Sequence, residues 1–188
     1  MSERLPPIDD ALMTPAQAEA KAAVLGGARG VFQGPFVPLL RSPGLMKRLE
    51  TVGAYLRFES GLPGRIREFA ILMVARAFDQ QVEWAIHYPI AQREGVSAAT
   101  LAAIAEGRRP DDMAADEASA YAFLTELRTH QAVSDVGYER ALGCFGEAGV
   151  IDLVAIAGYY GLLAMVMNVA RTPAPPGDAP PLAPIRAR

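Results

Sequence analysis

The helical character of this chain is clearest in residues 65–87, which read RIREFAILMVARAFDQQVEWAIH. Polar side chains occupy the first turn of this stretch, and residues 69–77 are then nearly all apolar, which is typical of a buried central helix. We therefore predict a helix from Arg65 to about Phe78, whose polar first turn can face a cavity.

The second half of the same stretch predicts another helix, from about Gln80 to Glu94, with Gly95 as its terminator. Glu83 and His87 are four residues apart, so they lie on the same face of this helix.

Further helix signals lie before and after these two predicted helices. Thr14 is a cap residue followed by proline at the first helical position, which predicts a helix to about Leu25. Residues 34–38 contain two prolines and predict a loop or a single turn. The remaining helices are predicted at 42–61, 97–106, 115–129, 134–149 and 150–170. No alternation typical of strands is present, so the sequence predicts an all-α fold.

The helix that starts at Ser42-Pro43 has apolar residues at the spacing of one helical face. This spacing predicts that the buried face consists of Leu45, Leu49, Val52 and Leu56.

The composition indicates one compact domain. The chain has 188 residues, of which 51% are hydrophobic and 21% charged, which excludes disorder over most of its length. We predict a single helical domain at residues 1–171 that includes an N-terminal arm. Residues 172–188 contain six of the fifteen prolines and predict an extended or disordered tail.

The net charge and the cysteine content argue against a nucleic-acid-binding protein and against a protein with disulfide bonds. A net charge of -3 offers no concentrated basic surface, so nucleic acid is not an expected partner. Cys144 is the only cysteine, so no internal disulfide and no Cys-x-x-Cys pair can form. The first ten residues lack the pattern of a secretory signal, and we predict a cytoplasmic protein.

The apolar run from Val150 to about Ala170 is long enough to cross a bilayer core. Asp152 inside the run, and the absence of lysine or arginine on its N-terminal flank, argue against a membrane span. We predict instead a helix buried on all sides, in the bundle core or in a subunit interface, where Gly158 and Gly161 let a neighbouring backbone approach.

His87 is the leading candidate for a catalytic residue. The chain has only two histidines, and imidazole is the side chain that titrates nearest neutrality. Glu83, one turn earlier, could accept a hydrogen bond from one imidazole nitrogen and fix the tautomer. Trp84, the only tryptophan, lies between them and is predicted to contact the substrate. The alternative is an ordinary pair on a helix surface.

Two further charged residues, Arg67 and Glu68, open the preceding helix. An arginine fork could hold a substrate carboxylate, although an ion pair at a helix terminus is an equally good reading. A metal site built from His87, His130 and carboxylates is conceivable, but no ligand spacing typical of metals supports it. We predict no cofactor and no metal.

Three segments together resemble the carboxymuconolactone decarboxylase family: Arg67-Glu68-Phe69-Ala70-Ile71-Leu72, then Glu83-Trp84-Ala85-Ile86-His87, then Ala91 with Gly95-Val96-Ser97. The resemblance covers about residues 45–107, and residues 158–168 are similar to the closing helix of the family. It implies an all-α, AhpD-like helical bundle that is a homo-oligomer, usually a trimer or hexamer. The redox branch of this superfamily has a Cys-x-x-Cys motif, whose cysteine positions correspond here to Gln80 and Glu83, so thiol chemistry is not expected.

The resemblance implies a function in the decarboxylase-like branch, in the catabolism of aromatic compounds. His87 would be the general acid/base, Glu83 its orienting partner, Arg67 a carboxylate clamp and Glu68 a further catalytic residue. The substrate would be a small carboxylated lactone or ring compound. Two alternatives stay open: a ligand-binding or interaction protein on the same scaffold, and a redox protein linked to peroxide.

Overall fold

The computed structural model describes residues 2–184. It is 67% helical, and these residues form no strand, so the predicted all-α class is confirmed. A π-helical turn, Tyr55–Glu59, follows the third helix directly. The helices are α1 (Pro15–Gly26), α2 (Phe36–Leu39), α3 (Pro43–Ala54), α4 (Gly64–Ala77), α5 (Gln81–Arg93), α6 (Ala98–Ala105), α7 (Ala115–His130) and α8 (Asp135–Ala170).

Capping residues begin the helices where the sequence predicts them. Thr14 and Gln17 form a reciprocal capping box at the start of α1. The hydroxyls of Ser97 and Ser134 accept hydrogen bonds from backbone amides at the starts of α6 and α8. The break predicted near Gly149 lies instead at Gly146, which has φ 68° and ψ 176° and separates α8 into two helical parts.

The core is built around α4, which packs against α5, α6, α7 and α8. The side chains of Ile66 and Phe69 are fully buried, as are those of residues 70–72. This confirms the prediction of a buried central helix at this position.

The predicted buried face of α3 is partly wrong. Leu45 and Val52 are each 45% exposed, whereas Met46 is buried and a side chain at Gly53 would collide with the hydroxyl of Tyr159. Both sets of positions have helical spacing. Packing against α1 and α2, and against Tyr159 of α8, favours burial of the second set.

Helix α8 is long and apolar enough to cross a membrane, but 56% of its most apolar window is buried inside the fold, which is typical of a core helix. The prediction that its C-terminal part is buried on all sides in the bundle core is wrong, and the alternative, burial in a subunit interface, stays a prediction. One face is buried, and the opposite face carries an exposed apolar stripe at Ile151, Val154, Met165 and Val169. The backbone of Gly158 faces open space within this stripe.

The sequence predicts an extended or disordered tail, and residues 172–184 are irregular chain that contacts α4 and α5. Leu182 is buried, and its backbone N–H and C=O are both bonded to the side-chain amide of Gln81. Arg76 donates to the carbonyl of Ala183. The prolines prevent a helix, but they leave carbonyl groups free to accept hydrogen bonds from α4 and α5. Residues 185–188, to which the same prediction applied, lie outside the described residues.

Candidate active site

A tight turn between α4 and α5 lets the two helices pack side by side. Asp79 adopts a left-handed conformation with φ 49°. The amide of Gln80 bonds to the carbonyl of Ala75, and that of Asp79 to the carbonyl of Arg76, which is the Schellman arrangement. The side chain of Gln80 then accepts from the amide of Val82 and caps α5. Glu68 on α4 is thereby brought next to His87 on α5.

His87 and Glu68 form a buried pair. The Nδ1 atom of His87 lies 2.6 Å from Oε2 of Glu68, and both side chains are almost completely excluded from solvent. The predicted hydrogen bond between Glu83 and His87 is absent, since neither carboxyl oxygen of Glu83 has a partner in residues 2–184. The two residues share a helix face, as predicted, but the packing of α4 on α5 supplied a closer carboxylate for the imidazole.

The pKa values of the two buried glutamates, Glu68 and Glu83, are shifted in opposite directions. Burial raises the pKa of Glu68, but the charge and the hydrogen bond of His87, together with Arg57 and Arg67, lower it more, so the pKa lies below its ordinary value. Burial alone raises the pKa of Glu83 well above its ordinary value. The charges and the hydrogen bond around Glu68 therefore favour its carboxylate form, whereas burial favours the protonated form of Glu83, which can donate a hydrogen bond.

A small cavity of about 40 Å³ adjoins this pair. Such a volume holds one or a few water molecules. The hydroxyl of Tyr160, whose ring meets the imidazole of His87 edge to face, is buried and has no partner in residues 2–184. The neighbouring hydroxyl of Tyr159 is likewise unpartnered, and burial raises the pKa of Tyr159 to about 12. The cavity is lined by Arg29, Val31, Gln33, Pro35, Phe36, Arg57, Glu83, Ile86, His87, Tyr160 and Leu163.

Two of the residues predicted for substrate contact do not line this cavity. Arg67 donates to the carbonyl of Leu62, its Nε lies 3.9 Å from Oε1 of Glu68, and it is not among the residues that line the cavity. Trp84 is 1% exposed, and its indole N–H donates to the carbonyl of Pro180 in the tail. Trp84 therefore holds the tail rather than contacting the cavity.

The cationic groups at the cavity are Arg29 and Arg57, which sequence reasoning missed. Arg29 lies in the loop between α1 and α2, where Gly30 and Gly34 have φ of 65° and 60°. Gly34 approaches Val82 and Ile86 on α5 closely, so this loop covers the cavity. Arg57 lies in the π-helical turn, a rare element that is frequent at functional sites. Of these features, only the glycines, which mark a loop, can be recognised in the sequence.

No cluster of three or more metal-ligating side chains is present among residues 2–184. His130 is exposed at the end of α7, in the last turn of that helix. The structure therefore offers no site at which His87 and His130 together would hold a metal.

Comparison with known proteins agrees with the resemblance seen in the sequence. The family model described as "Carboxymuconolactone decarboxylase family" matches residues 43–126. The matched segment contains Glu68, Glu83, His87 and Arg57, but neither Arg29 nor the helix at 158–168. No curated protein matches the chain.

Proposed function

Because residues 43–126 match the carboxymuconolactone decarboxylase family, we propose that this protein is a cofactor-independent lyase of the decarboxylase type. Its substrate would be a small carboxylated lactone or ring compound. The observation that carries this proposal is the buried pair of His87 and Glu68 beside a cavity that is also lined by the buried carboxyl group of Glu83, which is unpartnered within the described chain.

His87 is the group that moves the proton. Glu68 accepts the hydrogen of Nδ1 and so fixes the tautomer, which leaves Nε2 as the nitrogen that gains or loses a proton. When carbon dioxide leaves, the electron pair of the broken C–C bond passes into the conjugated lactone system. Protonated His87 then delivers a proton to carbon, and the imidazole returns to its neutral form.

Glu83 has a different role from the one expected of it. A carboxyl group whose protonated form is favoured by burial can donate a hydrogen bond to the lactone carbonyl, where negative charge develops after the C–C bond breaks. The orienting role expected of Glu83 belongs to Glu68 in this proposal. Arg67 does not line the cavity, and in this proposal it acts through the charge of Glu68.

The redox alternative has little support in the site itself. The positions of the two redox cysteines hold Gln80 and Glu83, and Gln80 is committed to capping α5 and to a hydrogen bond with Asn168. Cys144 is exposed on α8, outside the cavity. Cys144→Ser is expected to leave turnover unchanged. The proposed location is the cytoplasm, which suits a chain with a single cysteine, and the proposed assembly is the homo-oligomer, a trimer or hexamer, that the family resemblance implies.

Turnover can be tested with a panel of carboxylated muconolactones and related lactone acids, followed by loss of ultraviolet absorbance and release of carbon dioxide. Wild type, His87→Ala and Glu68→Gln are compared, with His130→Ala as a control at the other, exposed histidine. Turnover by wild type and His130→Ala but not by folded His87→Ala would support the proposal. Absence of turnover with folded wild type across the panel would favour the alternative, a ligand-binding member of the scaffold.

A further inference from the structure

A second, larger pocket adjoins the cavity on its outer side. Its volume is about 480 Å³, which is in the range of sites for small molecules. Three arginines line it, Arg29, Arg57 and Arg93, and no aspartate or glutamate does. The full lining is Ala28, Arg29, Val31, Gln33, Arg57, Phe58, Ile86, Pro89, Ile90, Arg93, Pro175 and Pro176. This outer pocket is therefore strongly positive, although the chain as a whole carries a net charge of -3.

The outer pocket and the inner cavity share one wall. Arg29 and Arg57 line both spaces, together with Val31, Gln33 and Ile86. A ligand in the outer pocket would thus meet these two arginines before it reached His87. Because the inner cavity holds only about 40 Å³, a ring compound can reach the imidazole only if the shared wall shifts.

Within the described part of the chain, the positive charges of Arg29 and Arg57 are not neutralised by an ion pair, so a negatively charged ligand could bind to them. Among residues 2–184, neither forms an ion pair with a carboxylate, and the buried Nε and Nη2 atoms of Arg29 have no hydrogen-bond partner. A buried donor without a partner is costly and is rare in folded proteins. In the inner cavity, Glu83 is also almost completely buried and unpartnered, which independently indicates a site built for a polar ligand.

Each of the two guanidinium groups lies over an aromatic ring. Arg29 lies 5.1 Å from the ring centroid of Phe36, and Arg57 lies 5.2 Å from that of Phe58. A ring under one face of a guanidinium leaves its N–H edges free for a planar, bidentate acceptor. Carboxylate has the geometry that fits such an edge.

We propose that Arg29 and Arg57 form a carboxylate-binding subsite between the outer pocket and the cavity of His87, and that Arg93 attracts the anion to the outer pocket. This rests on the proposed function, whose substrate is a carboxylate. Arg29 comes from the N-terminal arm, outside the segment that matches the family, so the arm contributes a binding residue of its own. The subsite replaces Arg67 as the clamp.

The proposal can be tested by calorimetric titration of the full-length protein with succinate, and with succinamide as an uncharged probe of similar shape. Wild type should bind succinate more tightly than succinamide, and the affinity for succinate should fall as sodium chloride is raised from 20 to 200 mM. Arg29→Gln and Arg57→Gln should each weaken succinate binding at least tenfold. Arg109→Gln, at an exposed arginine with no contact to either pocket, is the matched control and should bind as wild type does.

Thermal unfolding checks that each variant is folded. If Arg29→Gln fails to fold, Arg29→Lys serves in its place, since it retains the charge without the bidentate fork and should bind succinate more weakly than wild type. Equal affinity of wild type and the folded variants, or equal binding of succinate and succinamide, would overturn the proposal. So would the absence of succinate binding to wild type at 20 mM ligand.

This titration is independent of turnover. A wild-type protein that decarboxylates a lactone acid without binding succinate at Arg29 and Arg57 would refute the subsite alone. A protein that binds succinate as described, and turns over no lactone acid, would refute the proposed function alone.

Discussion

The Nδ1 atom of His87 on α5 lies 2.6 Å from Oε2 of Glu68 on α4, in a part of the fold where both side chains are buried. The pair links the two helices that pack at the centre of the bundle. It also sets the tautomer of the only buried histidine. Stability and activity should therefore both depend on these two residues.

Replacing Glu68 by glutamine should lower kcat by roughly one to two orders of magnitude, which is the typical effect of losing the group that orients a histidine. His87→Ala should lower it by about 10²–10⁴-fold, the usual contribution of general acid–base catalysis. Steady-state kinetics across pH gives both values. Glu106→Gln, at an exposed glutamate, is the control for loss of a charge. A Glu68→Gln variant with the kcat and pH profile of wild type would rule out the orienting role.

Replacing His87 by leucine should destabilise the fold as well. The substitution leaves the Glu68 carboxylate buried without its hydrogen-bond partner, and loss of one partner of a buried pair costs about 3–5 kcal/mol. Denaturant unfolding monitored by circular dichroism measures the loss. The double variant Glu68→Leu/His87→Leu should recover part of it, because the buried carboxylate that the single variant leaves without its hydrogen-bond partner is then gone. If the double variant is less stable than the single one, the pair is not the cause.

Glu83 should make the protein less stable as pH rises. Its folded pKa is raised above the ordinary value of 4.5 because it is buried, so the folded state holds a proton that the unfolded state releases. The free energy of unfolding should therefore decrease above about pH 4.5, by at most about 1.4 kcal/mol per pH unit, until the folded pKa is passed. Denaturant unfolding between pH 5 and 8 tests this.

Glu83→Gln isolates this effect from that of other titrating groups. Glutamine has nearly the same shape and no charge, so the variant should lose stability less steeply with pH than wild type does. Glu68 contributes with the opposite sign, since its lowered pKa adds stability that is lost as pH falls through the folded pKa, and it is common to both proteins. Parallel stability curves for wild type and Glu83→Gln would show that Glu83 is ionised in the folded state.

The tail should control the environment of Trp84. Its indole N–H donates to the carbonyl of Pro180, and Leu182 is buried next to α5. Leu182→Asp should release the tail, shift the fluorescence of the only tryptophan to longer wavelength and lower stability by roughly 1.5–3 kcal/mol, the contribution of burying a leucine. Asp178→Ala, at an exposed position of the same tail, should change neither quantity. Unchanged emission from Leu182→Asp would mean that the tail does not cover Trp84 in solution.

The exposed stripe of α8 should be a contact between subunits. A Cβ would meet nothing within 4 Å at either Gly158 or Gly143, so neither site resists a larger side chain within one chain. Gly158→Leu should nevertheless lower the mass measured by light scattering after size exclusion, because it fills the space in which a second helix would approach. Gly143→Leu, outside the stripe, should keep the mass of wild type. A monomeric wild type would exclude the predicted oligomer.

The sequence by itself determined the helices. The capping box at Thr14 and the capping serines act on backbone groups a few residues away, and the apolar run of α4 needs no partner to be recognised as a buried helix. Such signals are local, so each helix can be predicted from its own segment of sequence. The prediction of His87 as a site residue also came from the sequence, from the scarcity of histidine and its position on a helix, and its catalytic role stays a prediction.

Only the tertiary structure decided which groups meet. Glu83 and Glu68 were both possible partners of His87, and the packing of α4 against α5 selected Glu68. Arg67 lies on the helix that directly precedes the helix of His87. Arg29, from a loop much earlier in the sequence, lines the cavity instead. Trp84 was assigned to a substrate and binds the tail. Helical periodicity gives the spacing of a face but leaves the rotation of each helix, and the path of each loop, to the packing of the whole core.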